Sequence, residues 1–107
     1  MKDIRQYQLH ADLCQILTHP TRLHIIDLLR DGESSVKQLA EEMEMSQGTV
    51  SRHLSSMRIK GVVIARREGT CVFYSLGSLR ILVAYDEMHQ FALEYFEANK
   101  KLLEPTL

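Results

Sequence analysis

A chain of 107 residues with 45% hydrophobic and 25% charged side chains, five glycines and two prolines has the size and composition of one domain, so a single domain over residues 1–107 is expected. No apolar run reaches the length of a membrane span and the first residues lack an apolar leader, so neither a membrane helix nor a secretory signal is expected and the cytoplasm is the expected location. The net charge of −1 conceals an asymmetry: residues 46–80 hold Arg52, Arg58, Lys60, Arg66, Arg67 and Arg80 against Glu68 alone, and the acids are concentrated elsewhere.

In chain order, residues 3–17 read as a first helix, with Ile4, Leu9, Leu13, Ile16 and Leu17 at helical spacing. Pro20 suits the first turn of a second helix, where its missing N–H costs nothing. That helix continues through Leu29 with a broad apolar stripe, and Gly32 stops it. Ser35 and Gln38 form a capping box that opens a short third helix, whose Val36, Leu39, Ala40 and Met43 fall on one face. Glu44-Met45-Ser46 connects it to a fourth helix from Gln47 to about Lys60, with Ser46 as its cap and Val50, Leu54 and Met57 inward. Residues 62–67 and 70–76 are β-branched, apolar runs around a Glu68-Gly69 turn, the pattern of a hairpin with a charged tip. Ser78 caps a last helix over about 79–103, and Pro105 ends regular structure. The fold class is therefore mainly α with a small β-hairpin: five helices and a two-stranded wing.

The third helix, its three-residue turn and the fourth helix form a helix-turn-helix, which sets its second helix into the DNA major groove. Opposite Val50, Leu54 and Met57 the fourth helix carries Gly48, Arg52 and Ser55, flanked by Thr49 and Ser51, with Ser46 and Gln47 at its start. No acid lies between Ser46 and Lys60 to repel phosphate. The first-turn N–H groups of Gln47, Gly48 and Thr49 stand at the positive end of the helix dipole. Arg52 is the candidate base reader, since a guanidinium pairs bidentately with guanine. Arg66 and Arg67, just before the hairpin tip, are candidates for phosphate or minor-groove contact, although charged residues also protect exposed strands.

The segments HPTRLHIIDLLRDG and VKQLAEEMEMSQGTVSRHLSSMRIKGVVIARREGTCVFYSL together resemble the ArsR/SmtB family of winged-helix repressors. The Pro-Thr-Arg opening of the second helix, the Ser-Gln-x-Thr-Val-Ser-Arg-His-Leu recognition helix and the Arg-Arg-Glu-Gly wing occur in the right order over roughly residues 7–80. The resemblance implies a winged helix-turn-helix homodimer, joined by its first and last helices, that holds palindromic operator DNA as a repressor and releases it on a signal. The last helix agrees: Leu82, Tyr85, His89, Ala92 and Phe96 repeat at spacings of three and four, and with Leu9 and Leu13 of the first helix they form the expected dimer seam.

The family's metal sites are not intact here. Its thiolate site needs a cysteine pair on the third helix, which has none, and in its other site Met88 follows Asp86 where a histidine belongs, with Glu97 and Lys100 at the later positions. No metal or other cofactor is expected, and the inducer is left open. His89 is read as an interface histidine bonded to Asp86 or to the partner, against the alternatives of a metal ligand or pH switch. Cys14 and Cys71 allow a redox reading, but they lie on elements expected to be far apart, and Cys14 is expected to be buried packing. A winged-helix module for protein–protein contact is the alternative function. No catalytic constellation is visible, so an enzyme is not expected.

Overall fold

The computed structural model describes residues 3–100. Its elements in chain order are α1 (Ile4–Ile16), α2 (Pro20–Leu28) running into a 3₁₀ turn (Leu29–Asp31), β1 (Ser34–Ser35), α3 (Val36–Met43), α4 (Gln47–Ile59), β2 (Val63–Glu68), β3 (Cys71–Leu76) and α5 (Leu79–Ala98). The caps read from the sequence hold the starts of α3, α4 and α5, and α2 has one that was not read. His19 Nδ1 accepts from the Thr21 N–H at 3.1 Å ahead of Pro20, Ser35 and Gln38 close a reciprocal capping box, and Ser46 and Ser78 cap α4 and α5. α5 ends at Ala98 with Asn99 as its C-cap, short of the expected end near 103; residues 101–103 and the expected stop at Pro105 lie outside the described residues.

The sheet has three strands in the order β1-β3-β2, all antiparallel. Two expectations are corrected here. The two-stranded wing is β2–β3 as expected, but the sheet holds an extra strand that was not foreseen: Ser34 and Ser35 of β1 pair with Tyr74 and Phe73. The hairpin turn is Gly69-Thr70 rather than Glu68-Gly69, because Glu68 still pairs with Cys71, and Gly69 supplies the left-handed φ of 61° that the tight turn needs. Gly77 is required for another reason. A Cβ there would lie 2.0 Å from the Gly61 carbonyl oxygen, so only glycine lets the chain leave β3 beside the end of α4.

The core is built by the helices that the sequence marks as central. Ile25 and Ile26 of α2, Leu39 and Ala40 of α3, and Val50, Leu54 and Met57 of α4 are buried with Val62, Val63 and Tyr74 of the wing segment. Each large side chain moved from water into such a cluster contributes about 1.5–3 kcal/mol. This core fixes α4 against the rest, so its opposite face has a defined direction in space.

The two end helices bury nothing completely. The first half of α5 docks through Ile81, Leu82 and Tyr85, and α1 docks through Ile16 and Leu17 at its end. Beyond those points Ile4, Leu9, Met88, Phe91, Tyr95 and Phe96 are exposed. The Cα radius of gyration is 16.3 Å, against about 13 Å for a compact chain of this length. The expected seam is thereby divided: Leu82 and Tyr85 already pack on the chain's own core, whereas Leu9, His89, Ala92 and Phe96 stand free and Leu13 is half-buried. Cys14, expected inside, is exposed, because α1 turns only Ile16 and Leu17 to the core and Cys14 lies off that stripe.

Candidate nucleic-acid interface

The recognition surface begins at the turn between α3 and α4. Glu44, the C-cap of α3, takes a left-handed φ of 54°, which reverses the chain within three residues. Ser46 Oγ accepts from the Thr49 N–H at 3.2 Å and donates to Thr49 Oγ1 at 2.8 Å. That cap occupies the Thr49 N–H, so the first-turn amides left without a protein acceptor, among the described residues, are those of Gln47 and Gly48. The expected trio of free amides is thus a pair.

Along α4, Gln47, Gly48, Arg52 and Ser55 are exposed, and Thr49, Ser51 and Ser56 flank them half-buried. Val50, Leu54 and Met57 are fully buried on the other side. Arg52 extends along the outer face, with Nη2 3.4 Å from Thr49 Oγ1, and has no carboxylate partner among the described residues. The outward surface of α4 therefore presents hydroxyls, an amide and the unneutralised guanidinium of Arg52, with Arg58 exposed further along the helix.

The wing arginines occupy opposite faces of β2, as strand alternation requires. Arg66 lies opposite Phe73 on the outer face. Its guanidinium sits 5.0 Å from the Phe73 ring centroid and reaches Glu33 at 2.5 and 3.1 Å and Glu68 at 2.8 Å. The arginine holds the Glu33 carboxyl below its ordinary range, and the two carboxylates raise Arg66 in turn. Arg67 follows the core-side register of Val63 and Ala65 but lies past the core, exposed and without an ion pair among the described residues. The sequence presented the two arginines as equivalents; the register and Glu33 make them different.

A second cluster was missed from the sequence. Arg22 of α2 donates from Nε to His53 Nδ1 of α4 at 3.2 Å and from Nη1 to the Ile16 carbonyl at 3.1 Å. The His19 and His53 rings lie 4.5 Å apart. Partial burial first, and then the neighbouring His19, Arg22 and Arg52, push His53 below the ordinary histidine value. This joint ties the end of α1, the start of α2 and the middle of α4 together. The only advance signal was a histidine at the margin of the buried stripe of α4.

On α5, Asp86 is not the partner of His89. Arg30 forks onto it at 2.6 and 3.0 Å, also bonds Asp27, and holds the Asp86 carboxyl low. His89 instead stacks on Tyr85, with ring centroids 5.5 Å apart and planes 10° apart. Among the described residues no three His, Cys, Asp or Glu side chains gather as a metal site, and no helix is long and apolar enough to cross a membrane.

A helix-turn-helix on a buried core, followed by a hairpin beside its second helix, defines the winged helix-turn-helix class of DNA-binding domains. The model of the bacterial regulatory protein arsR family matches residues 19–65. The transcriptional activator HlyU of Vibrio cholerae is 34% identical over 88 residues, 82% of this chain and 79% of HlyU, and its structure superposes with a TM-score of 0.73. The homodimeric winged helix-turn-helix DNA-binding domain Mb0332 of Mycobacterium bovis superposes with a TM-score of 0.80 at 29% identity, covering 92% of this chain and 93% of that one. The transcriptional repressor BigR of Xylella fastidiosa does so with 0.74 at 29% identity, covering 81% and 89%. The chain belongs to the arsR family and is a DNA-binding transcriptional regulator.

Proposed function

We propose that the chain acts as a homodimeric, sequence-specific repressor in the cytoplasm, holding a palindromic operator through α4 and the wing until a signal releases it. The observation that carries the reading is the outer face of α4: Gly48, Arg52 and Ser55 exposed on a helix whose other side is wholly buried, with no carboxylate from Ser46 to Lys60. Arg52 is the base-reading residue. Gln47, Ser51, Ser55 and the free amides of Gln47 and Gly48 serve bases or phosphates, and Thr49 and Ser46 shape the helix start that presents them. The exposed apolar parts of α1 and α5, with Leu9, His89, Ala92 and Phe96, are the surface for a second copy, as Mb0332 is homodimeric. Repression follows from occupying an operator. HlyU, an activator, is the contrary precedent, so the sign of regulation has its own test.

The experiment is selection of bound duplexes from a random pool, then titration of the selected site with the wild-type chain and with Arg52→Ala. The variant is expected to lose about 1–3 kcal/mol of binding and to relax preference at one base position in each half-site. Equal affinity and equal preference would remove Arg52 from the reading. A reporter behind the selected site, rising when the gene is deleted, is the outcome expected of a repressor.

A further inference from the structure

We infer that the two wing arginines divide the work: Arg67 is the wing's contact to DNA phosphate, and Arg66 is a positioning residue that sets the wing's angle by tying β2 across β3 to the chain entering β1. The inference rests on the DNA-binding reading of α4 and assigns a role within it. Three observations carry it. Register places Ser35, Phe73 and Arg66 side by side on one face of the sheet, and Glu33 lies two residues before Ser35, at the next position on that face. The guanidinium of Arg66 crosses the Phe73 ring to reach Glu33 and also bonds Glu68, so its charge already faces two carboxylates. Arg67 points the other way, is exposed, and meets no carboxylate among the described residues.

The chemistry separates the two roles. A phosphate approaching Arg66 would compete with two fixed carboxylates and would itself be repelled by them. A phosphate approaching Arg67 displaces only water and counterions. The Glu33–Arg66 bridge also joins residues 33 positions apart. It thereby links the wing to the segment leading into α3, the first helix of the helix-turn-helix, and fixes the hairpin relative to the reading helix. The β1–β3 pairing and the buried Val63 and Tyr74 hold the base of the hairpin; the bridge holds the half nearer the tip, and without it Arg67 would lose its target.

The test is the salt dependence of binding to one duplex, measured for the wild type, Arg67→Ala, Arg66→Ala, Arg66→Lys and the Arg66→Ala/Arg67→Ala pair. Each lost phosphate contact lowers the slope of log affinity against log salt by about one for each wing bound. The expected result is that Arg67→Ala lowers the slope by about one per wing with the melting temperature unchanged. Arg66→Ala should weaken binding as well, and the double variant should fall no further in slope than Arg67→Ala alone. Arg66→Lys keeps the charge but loses the fork that grips Glu33, so it should behave like Arg66→Ala. Two independent phosphate contacts give the opposite pattern: additive slopes, about two per wing in the double variant, with Arg66→Lys close to wild type. That pattern would overturn the inference while leaving the DNA-binding reading intact. A wild-type chain that ignores duplex DNA at low salt would instead overturn that reading itself.

Discussion

Gly48 shows how a single residue separates folding from function. It is the second residue of α4, where glycine weakens a helix relative to alanine by about 0.5–1 kcal/mol. Nothing in the fold requires it: a Cβ at Gly48 would meet no atom within 4 Å, and its backbone is not left-handed. In the proposed reading such a position has its reason outside the fold: it leaves room for a phosphate against the free amides of Gln47 and Gly48. Gly48→Ala should therefore raise stability in a urea titration by up to about 1 kcal/mol and at the same time weaken duplex binding. A variant that gains stability and binds unchanged would show that no DNA backbone comes close to this turn. At this scale the sequence was legible wherever a residue's placement depends on its own helix, as with the exposure of Arg52 and Ser55 and the Ser46 cap. It was not legible for Arg66, whose partner Glu33 lies far along the chain, nor for Asp86, which Arg30 takes from His89 across the α2–α5 contact.

The elements were legible in proportion to their periodicity. The apolar faces of α3 and α4 are marked by side chains three and four apart, and the same side chains are the buried ones. β1 has two residues, too few to show an alternation, and exists because β3 offers it an edge. The joint of Arg22, His19 and His53 is likewise a product of packing between helices, and it carries a pH dependence. His53 accepts from Arg22 through Nδ1, and His19 accepts from the Thr21 amide through its own Nδ1, so both bonds need unprotonated nitrogens. His53 faces Arg22, His19 and Arg52, all of which oppose a further positive charge. Its value in the folded chain lies below the unfolded value of about 6.5. The neutral ring therefore stabilises the fold fully above about pH 6.5, and that contribution is lost as pH falls from there through the lower folded value. Asp86 and Glu33, both held low, titrate well beneath this window. Denaturant melts at pH 7.5 and 5.5 should show a larger loss for the wild type than for His53→Gln, whose amide oxygen still accepts from Arg22 but does not titrate. Equal losses would mean that the joint is indifferent to protonation.

At the scale of the molecule, α1 and the far half of α5 leave apolar side chains in water. Leu9 is 61% exposed and Phe96 is 50% exposed, and a chain this short has too little core to absorb them. The three-and-four spacing of the sequence marked an apolar stripe on α5, but spacing alone does not say which positions the chain uses on itself, and Leu82 and Tyr85 are among those. In the proposed dimer a second copy covers the remainder and sets two α4 helices against half-sites about one helical turn apart. Binding then gains from linkage, because once one half-site is held the second meets its helix at a high effective concentration. Leu9→Glu with Phe96→Glu places charges on that seam while touching nothing in the core, so each chain should still fold. Sedimentation should find monomers where the wild type is dimeric, and the melting temperature should no longer rise with protein concentration. Affinity for a duplex with two half-sites should fall to that for a duplex with one, at which wild type and variant become alike. Ile64→Glu, on the outer face of the sheet, serves as the control that should leave association unchanged. A double variant that remained dimeric would move the interface elsewhere, and a monomer that held the two-site duplex as tightly as the dimer would show that α4 and the wing bind without linkage.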